Sequence, residues 1–412
     1  MNVAIITLGP LHLIKSAQFL SELNDITVIQ GWIPKKGNRW LLGPISSIIG
    51  YDLSKTITKR TPNARFRANI GLMLPEILEN IASRFLRNTT FGVKIICYSH
   101  ILFSRQAMKF LHDIEVLHIR SGSAGGGKLI DYAHQHGIKV IVDQSSAYPY
   151  IEHLNAEFQK NDVANKISPA NPFWKMVLND CFAADYLLVN SLYLKELFAS
   201  KGIDASKIKV VYLGVREDFN HLKQNYAIGE TINILFTGRF SFLKGGEYML
   251  RAVQALEEMG FNVKLTIVGG YEDGISLIRK FPVKNLNLVG VVPQDDLKTY
   301  LAHSDIYLFP SLSEGCANSG MEAMAAGLPV VATKESGLPI IDGESGIIVP
   351  IMDVDSIVNA IKSLSRSQEL RSKLGVNASR LICDKYTWEK YAENVGRLYE
   401  KLYCSSDDST IV

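Results

Sequence analysis

The sequence predicts an α/β chain made of two doubly wound, Rossmann-like domains facing a central cleft. Short apolar runs alternate with longer amphipathic stretches, the pattern of βαβ units and parallel sheets. That alternation restarts near residue 232, giving two series. The chain has 412 residues and is 47% hydrophobic. At roughly 100–200 residues per domain, this suits two domains with full cores and excludes a wholly disordered chain.

In the first series, residues 3–8, 26–29, 116–119, 140–143 and 186–190 read as strands. Residues 13–23 read as an amphipathic helix after the Gly9-Pro10 turn. Residues 145–172, rich in Pro, Asn and aromatics, read as a long loop with broken helix. In the second series, strands are expected at 234–237, 263–268, 286–289, 306–309, 329–332 and 346–349, with a helix at 247–259. The domains expected are 1–215 and 231–386. Over 387–404, Trp388, Tyr391, Leu398 and Tyr399 at helical spacing predict a helix that packs back toward the first domain, before a loose polar tail.

The net charge of +3 argues against a dedicated nucleic-acid binder. It is unevenly distributed: residues 31–94 hold eleven basic and three acidic side chains, a net of +8, against −5 for the remainder. Five cysteines without CxxC pairs suit a reducing compartment rather than a disulfide framework or a zinc site. The first apolar run is too short, and uncharged before it, for a signal peptide. No stretch approaches roughly 18 uninterrupted apolar residues, the length of a membrane span. The expectation is a cytoplasmic protein, soluble or peripheral at the inner face of the membrane.

Two stretches could carry chemistry. Gly238-Arg239-Phe240-Ser241-Phe242-Leu243-Lys244-Gly245-Gly246 lies between a predicted strand and a helix. Its glycines let backbone amides approach an anion at a helix N-terminus, and Arg239 and Lys244 add two cations. It is neither a Walker loop nor a GxGxxG fingerprint, and a tight turn with solvated cations is the alternative. The second runs from Pro310 to Pro329, where a small-residue loop leads into an Ala-rich helix expected from about Gly320. It carries Glu314 before the helix and Glu322 in its first turn. Ser319-x-x-Glu322 also reads as a capping box.

Together these stretches resemble glycosyltransferase family 4, retaining enzymes of the GT-B architecture. Gly238-Arg239 with Lys244-Gly245 resembles the family's donor-phosphate clamp, and Glu314 with Glu322 its Glu-x7-Glu motif. Supporting phrases agree in order: Ile267-Val268-Gly269, Val289-Gly290-Val291, Gly327-Leu328-Pro329 and Gly343-Glu344-Ser345-Gly346. The resemblance is strong over 232–349, fair over 184–215 and weak before. It implies an acceptor-binding first domain and a nucleotide-sugar-binding second domain. Arg239 and Lys244 would neutralise the leaving diphosphate by fixed charge, with no metal or other cofactor. Glu322 would hold the ribose, the base would lie near residues 289–292, and Glu314 with the amides of Gly315, Cys316 and Ala317 would position the sugar. Same-face attack would retain configuration.

Asp353-Val354-Asp355 is a literal DxD, better read as helix-start acids than as metal ligands. The first domain departs from the family pattern. Gly9-Pro10-Leu11-His12-Leu13-Ile14-Lys15-Ser16 replaces a Gly-Gly loop. Gly9 can still allow close approach, while His12 and Lys15 read either as phosphate or acceptor contacts or as helix-start surface residues. Where relatives often place a His, this chain has Asp143, either an acceptor-binding group or a local turn-former. His118 reads as a satisfied core histidine, and the Gly-rich residues 121–127 either line the cleft or form a plain loop. The basic segment 31–94 interleaves cations with Trp32, Trp40, Ile45, Ile48, Phe66 and Phe85. It is expected to meet an anionic membrane surface or lipid-pyrophosphate acceptor, the alternative being a solvated face over core apolars.

The function expected is hexosyl transfer from a nucleotide-sugar to a glycan or lipid-linked acceptor, in cell-surface polysaccharide, lipopolysaccharide or glycolipid synthesis. The alternatives are a phosphorylase on the same fold and a non-catalytic binding subunit. A dinucleotide-dependent oxidoreductase is disfavoured, because GxGxxG is missing at both domain starts.

Overall fold

The computed structural model describes residues 1–9, 12–33, 64–86, 89–147 and 171–404. Its first sheet contains β1 (Asn2–Thr7), β2 (Asp25–Gln30), β3 (Ala68–Gly71), β4 (Val116–Arg120), β5 (Lys139–Gln144), β6 (Tyr186–Val189) and β7 (Ile208–Val210). All pair in parallel in the order β3-β2-β1-β4-β5-β6-β7. Between them run α1 (His12–Leu20), α2 (Met73–Phe85), α3 (Thr90–Ala107), α4 (Lys128–Gln135), α5 (Pro172–Ala183) and α6 (Leu192–Ser200).

The second sheet contains β8 (Ile232–Thr237), β9 (Val263–Val268), β10 (Leu286–Gly290), β11 (Ile306–Phe309), β12 (Val330–Thr333) and β13 (Ile347–Val349), ordered β10-β9-β8-β11-β12-β13 and again parallel. Its helices are α7 (Gly246–Glu258), α8 (Ile275–Lys280), α9 (Gln294–His303), α10 (Asn318–Ala326), α11 (Val354–Arg366) and α12 (Gln368–Lys385), followed by α13 (Trp388–Cys404).

The local reasons are legible. Central strands such as β1 and β11 are apolar runs buried on both faces, because helices cover each side of a parallel sheet. Helices start where a short polar side chain takes an orphan amide. Thr89 accepts from Gly92, Ser191 from Leu194 and Ser367 from Leu370, while Asn171 accepts from Phe173 with Pro172 at the first helical position.

Strand order fixes where a ligand can sit. In each sheet the chain first winds outward from the central strand, then crosses to its other side. The order therefore reverses between β1 and β4, and between β8 and β11. The crevices beyond the carboxyl ends of those pairs are the binding positions of doubly wound sheets.

Helix α13 leaves the second domain and packs on the first. Trp388, Tyr391, Val395, Tyr399 and Leu402 share a buried cluster with Val3, Ile5, Leu13 and Ile14. The Tyr399 hydroxyl bonds Nδ1 of His118 at 2.7 Å, both side chains fully buried. The Val215 amide donates to the carbonyl of Tyr386 at 2.9 Å, so the two interdomain crossings run side by side.

Among the elements that the sequence expectations did not name are β3, β7 and the α2–α3 pair. β3 is a half-exposed edge without an apolar run, and β7 is three residues long. The α2–α3 hairpin occupies part of the basic segment. The rest of that segment, at 34–63 and 87–88, lies outside the described residues, as do most of the 145–172 stretch and the tail from 405. Among the described residues, no helix is long and apolar enough to cross a membrane.

Candidate active site

At the β8/β11 reversal, two loops are tied together. The amide of Leu312 and the hydroxyl of Ser311 both donate to the carbonyl of Leu243, at 2.9 and 3.1 Å. Gly245 sits at φ +75°, where a Cβ would fall 1.9 Å from the carbonyl oxygen of Pro310. Only glycine meets both demands there. The loop after β11 is braced from β12, since Glu314 N–H donates to the carbonyl of Glu335 at 2.8 Å and the Thr333 hydroxyl donates to that of Ser311.

This bracing brings the expected cation and carboxylate into contact. Lys244 Nζ donates to Glu314 Oε1, which also accepts from Ser311 Oγ at 3.1 Å. Lys244 also lies 5.6 Å from the centre of the Phe309 ring. It is therefore a half-buried, paired cation rather than a solvated one. Arg239 is 74% exposed and reaches Asp273 at 3.4 Å. An open cleft of about 580 Å³ begins beside it, lined by Gly238, Arg239, Gly269, Gly270, Glu272, Asp273 and Val291. Val291 presents an apolar surface, 85% exposed, within the stretch assigned to the base. Glu272 and Asp273 escaped the sequence reading; their signal was their place just beyond the end of β9.

Three expectations about this loop are corrected. Helix α10 begins at Asn318 rather than near Gly320, and Glu322 is its fifth residue rather than part of its first turn. Ser319 forms no capping box: Ala317 precedes the helix without a side-chain cap, and the Ser319 hydroxyl accepts from Tyr307 OH at 3.1 Å. The Ala317 amide donates to the carbonyl of Ser336 at 3.0 Å, so it is not free for a sugar. The amides of Gly315 and Cys316 make no such bond among the described residues. Burial pushes the Cys316 thiol far up, which favours its neutral form.

Glu322 has a different setting. Burial pushes its carboxyl up to about 7, against the opposing pull of Arg216 and Lys15. Lys15 comes from α1, where its Nζ lies 4.3 Å from the centre of the Trp388 ring. Burial and the neighbouring Arg216 lower its pKa. Arg216 comes from the interdomain linker and donates to Asp218 and Gln294. Two distant segments, α1 and the interdomain linker, thus converge electrostatically on the one carboxylate of α10. The sequence offered no signal for Arg216, an isolated linker cation.

Across the cleft, Asp143 is the penultimate residue of β5 and is buried. It accepts from His12 Nε2 at 3.0 Å, and lies 3.9 Å from His118 and 3.8 Å from Arg120. Burial alone would raise its carboxyl, but His12 and His118 outweigh that and hold it well below the usual carboxylate range. His118 is buried against Tyr399, as a core histidine should be, yet it also flanks Asp143. Space in front of Gly9 is open: a Cβ there would meet nothing within 4 Å. The 121–127 loop is pinned inward, its Gly122, Ala124 and Gly127 amides donating to buried Asp180 at 2.7, 3.2 and 2.6 Å. It reads as structural.

The domains touch where the two half-sites meet. A Cβ on Gly315 would lie 1.9 Å from the carbonyl oxygen of Ser145 and 2.9 Å from Asn190 Oδ1, both from the first domain. Away from the cleft, Asp353 of the DxD triplet caps α11, accepting from the Ser356 amide at 2.9 Å and its hydroxyl at 2.6 Å.

Residues 231–367 match the family model described as glycosyl transferases group 1. The amylovoran biosynthesis glycosyltransferase AmsK of Erwinia amylovora is 32% identical over 202 residues, covering 45% of this chain and 49% of that protein. The capsular polysaccharide biosynthesis glycosyltransferase CapM of Staphylococcus aureus is 26% identical over 215 residues, covering 51% and 55%. The chain thus spans about half the length of these curated relatives. Anabaena HepE, solved in complex with UDP and glucose, superposes with a TM-score of 0.62 at 14% identity, covering 97% of this chain and all of that one. At that identity the likeness carries the fold, which is GT-B: two Rossmann-like domains facing a cleft.

Proposed function

We propose that this chain is a cytoplasmic, retaining glycosyltransferase of the family 4 type. It moves a hexosyl group from a nucleoside-diphosphate sugar to a glycan or lipid-linked acceptor, in the synthesis of a cell-surface polysaccharide, lipopolysaccharide or glycolipid. The observation that carries the reading is the Lys244–Glu314 pair at the β8/β11 reversal, inside the segment that matches the group 1 model. The biosynthetic relatives and the UDP and glucose in Anabaena HepE support the substrate classes.

In this mechanism the donor diphosphate enters beside Arg239 and takes over Lys244 from Glu314. The two cations stabilise the charge that develops as the anomeric carbon–oxygen bond breaks, and no metal is needed for that task. Released from Lys244, Glu314 accepts from a sugar hydroxyl, while the Gly315 and Cys316 amides just before α10 face the phosphate and sugar. Glu322 accepts from the ribose hydroxyls, and the base rests near Val291. The acceptor approaches over Gly9, His12 and Asp143. Its oxygen forms the new bond on the face the phosphate leaves, and its proton passes to the leaving phosphate oxygen, so configuration is retained. His12, held by Asp143 through Nε2, orients the acceptor.

The reading is tested by incubating the full chain with UDP-, GDP- and ADP-hexoses and candidate acceptors, following nucleoside diphosphate release and the anomeric configuration of the product by NMR. Release with retained configuration, undiminished by chelators, is expected. An inverted product contradicts the mechanism, and absence of release from every donor contradicts the function.

A further inference from the structure

A packed helix normally turns its apolar stripe toward the core. Helix α2 does the reverse. At about 100° per residue, Met73, Leu74, Ile77, Ile81 and Phe85 fall within one arc of about 120°. All five are exposed, Phe85 to 74%. The side packed on the protein carries Pro75, Glu76 and Ala82. Helix α3, joined to it by residues 86–89, shows a similar outer face. Phe91, Lys94, Tyr98 and Arg105 lie within about 60° of one another, opposite the buried Ser99, Phe103 and Ala107. Phe91 is 63% and Tyr98 57% exposed.

Seven large apolar side chains on two adjacent helices exceed the scattered exposure ordinary on soluble surfaces. The cations sit among them: Arg84 lies within the α2 arc, its guanidinium 5.9 Å from the Phe85 ring centre. The acids of α2 are turned away from this face: Glu76 is buried and Glu79 lies 3.5 Å from His100. Apolar side chains interleaved with cations are complementary to a lipid headgroup layer, where the apolar groups enter the acyl boundary and the cations stay with phosphate. A two-fold contact with a second copy would set the same cations against themselves.

We propose that the outward face of the α2–α3 hairpin docks this protein on an anionic lipid leaflet. Arg84, Lys94 and Arg105 supply the cationic part of that face, and its apolar part is the stripe along α2 with Phe91 and Tyr98 of α3. This docking stands independently of the glycosyl-transfer reading.

The test is co-sedimentation of the full chain with phosphatidylcholine vesicles, with and without phosphatidylglycerol. Binding is expected only with the anionic lipid. The triple variant Ile77→Ser/Ile81→Ser/Phe85→Ser should weaken it by about tenfold per residue replaced. Lys94→Gln and Arg105→Gln should each weaken it about fivefold, with high salt acting in the same direction. Because these positions are exposed, melting and donor-induced thermal shifts should match the wild type, so a failed binding test leaves the transfer reading untouched. Separately, Phe85→Trp should show a blue-shifted emission on adding anionic vesicles. Absence of wild-type binding, or binding that the triple serine variant leaves unchanged, overturns the proposal. So does a concentration-dependent dimer in sedimentation velocity that the serine variant abolishes.

Discussion

Gly315→Ala should disable this protein without unfolding it. Gly315 does not require a left-handed backbone, since its φ is outside the positive range, so alanine carries no conformational strain of its own. The cost is steric and lies between domains. The added Cβ would stand 1.9 Å from the Ser145 carbonyl oxygen, and reaching an ordinary contact of 3.4 Å requires a separation larger by about 1.5 Å. The loop cannot easily yield, because Glu314 and Ala317 are bonded to the carbonyls of Glu335 and Ser336 at 2.8 and 3.0 Å. The softer response is opening of the domain interface. A misplacement of about 1 Å can cost about a hundredfold in rate, so kcat/KM should fall by about that factor. On the proposed reading the groups that hold the donor belong mainly to the second domain, so donor binding should change little, and so should the melting temperature. The assay is steady-state nucleoside diphosphate release beside calorimetric donor titration. If Gly315→Ala retained most of its turnover, or lost donor affinity and stability in step with turnover, the interdomain reasoning would be wrong.

Three further outcomes are expected. Lys244→Ala should lower kcat by about a hundred- to a thousandfold, the usual loss for one fixed group that stabilises developing charge, while its melting curve stays close to wild type; this is read from single-turnover rates. Glu322, pushed up to about 7, should make donor affinity rise with pH. About one-tenth of it is ionised one unit below that value, so titrations should show roughly tenfold weaker binding there than well above it. Glu322→Gln should flatten the profile. Because burial raises this pKa, ionising Glu322 opposes folding, so the wild type should lose stability relative to Glu322→Gln as pH rises through about 7. Tyr399→Phe removes the 2.7 Å bond to fully buried His118 and leaves its Nδ1 unpaired. This should cost about 1–3 kcal/mol in urea unfolding of the first domain.

Both half-domains were legible where apolar runs are long and buried on two faces, as in β1, β5, β8, β9 and β11. Edge strands were not: β3 alternates between exposed and half-buried residues, and β7 has only Ile208–Val210 to announce it. Helix α2 escaped because its apolar stripe is genuine but faces outward, so no reading based on core patterning places it. At the site, Lys244 and Glu314 could be named from spacing, but their contact depends on the Leu243 carbonyl tying two loops together. The start of α10 was misplaced because Ser319-x-x-Glu322 imitates a capping box, whereas Ser319 is already helical and bonds Tyr307. Arg216 and Lys15 come from distant segments, and only the packing of the two domains brings their charges to bear on Glu322.

Donor recognition by the Lys244, Glu314 and Glu322 constellation is the central claim, and thermal shift tests it most directly. UDP-, GDP- and ADP-sugars are each titrated against the wild type, Lys244→Ala and Glu322→Ala. A ligand at about a hundred times its Kd stabilises the folded state by about 2.7 kcal/mol, a shift of several degrees for a domain of this size. At least one nucleotide-sugar should produce that shift in the wild type, and each substitution should reduce it. If no nucleotide-sugar stabilised the wild type, or if one did so equally in both variants, the claim would be contradicted.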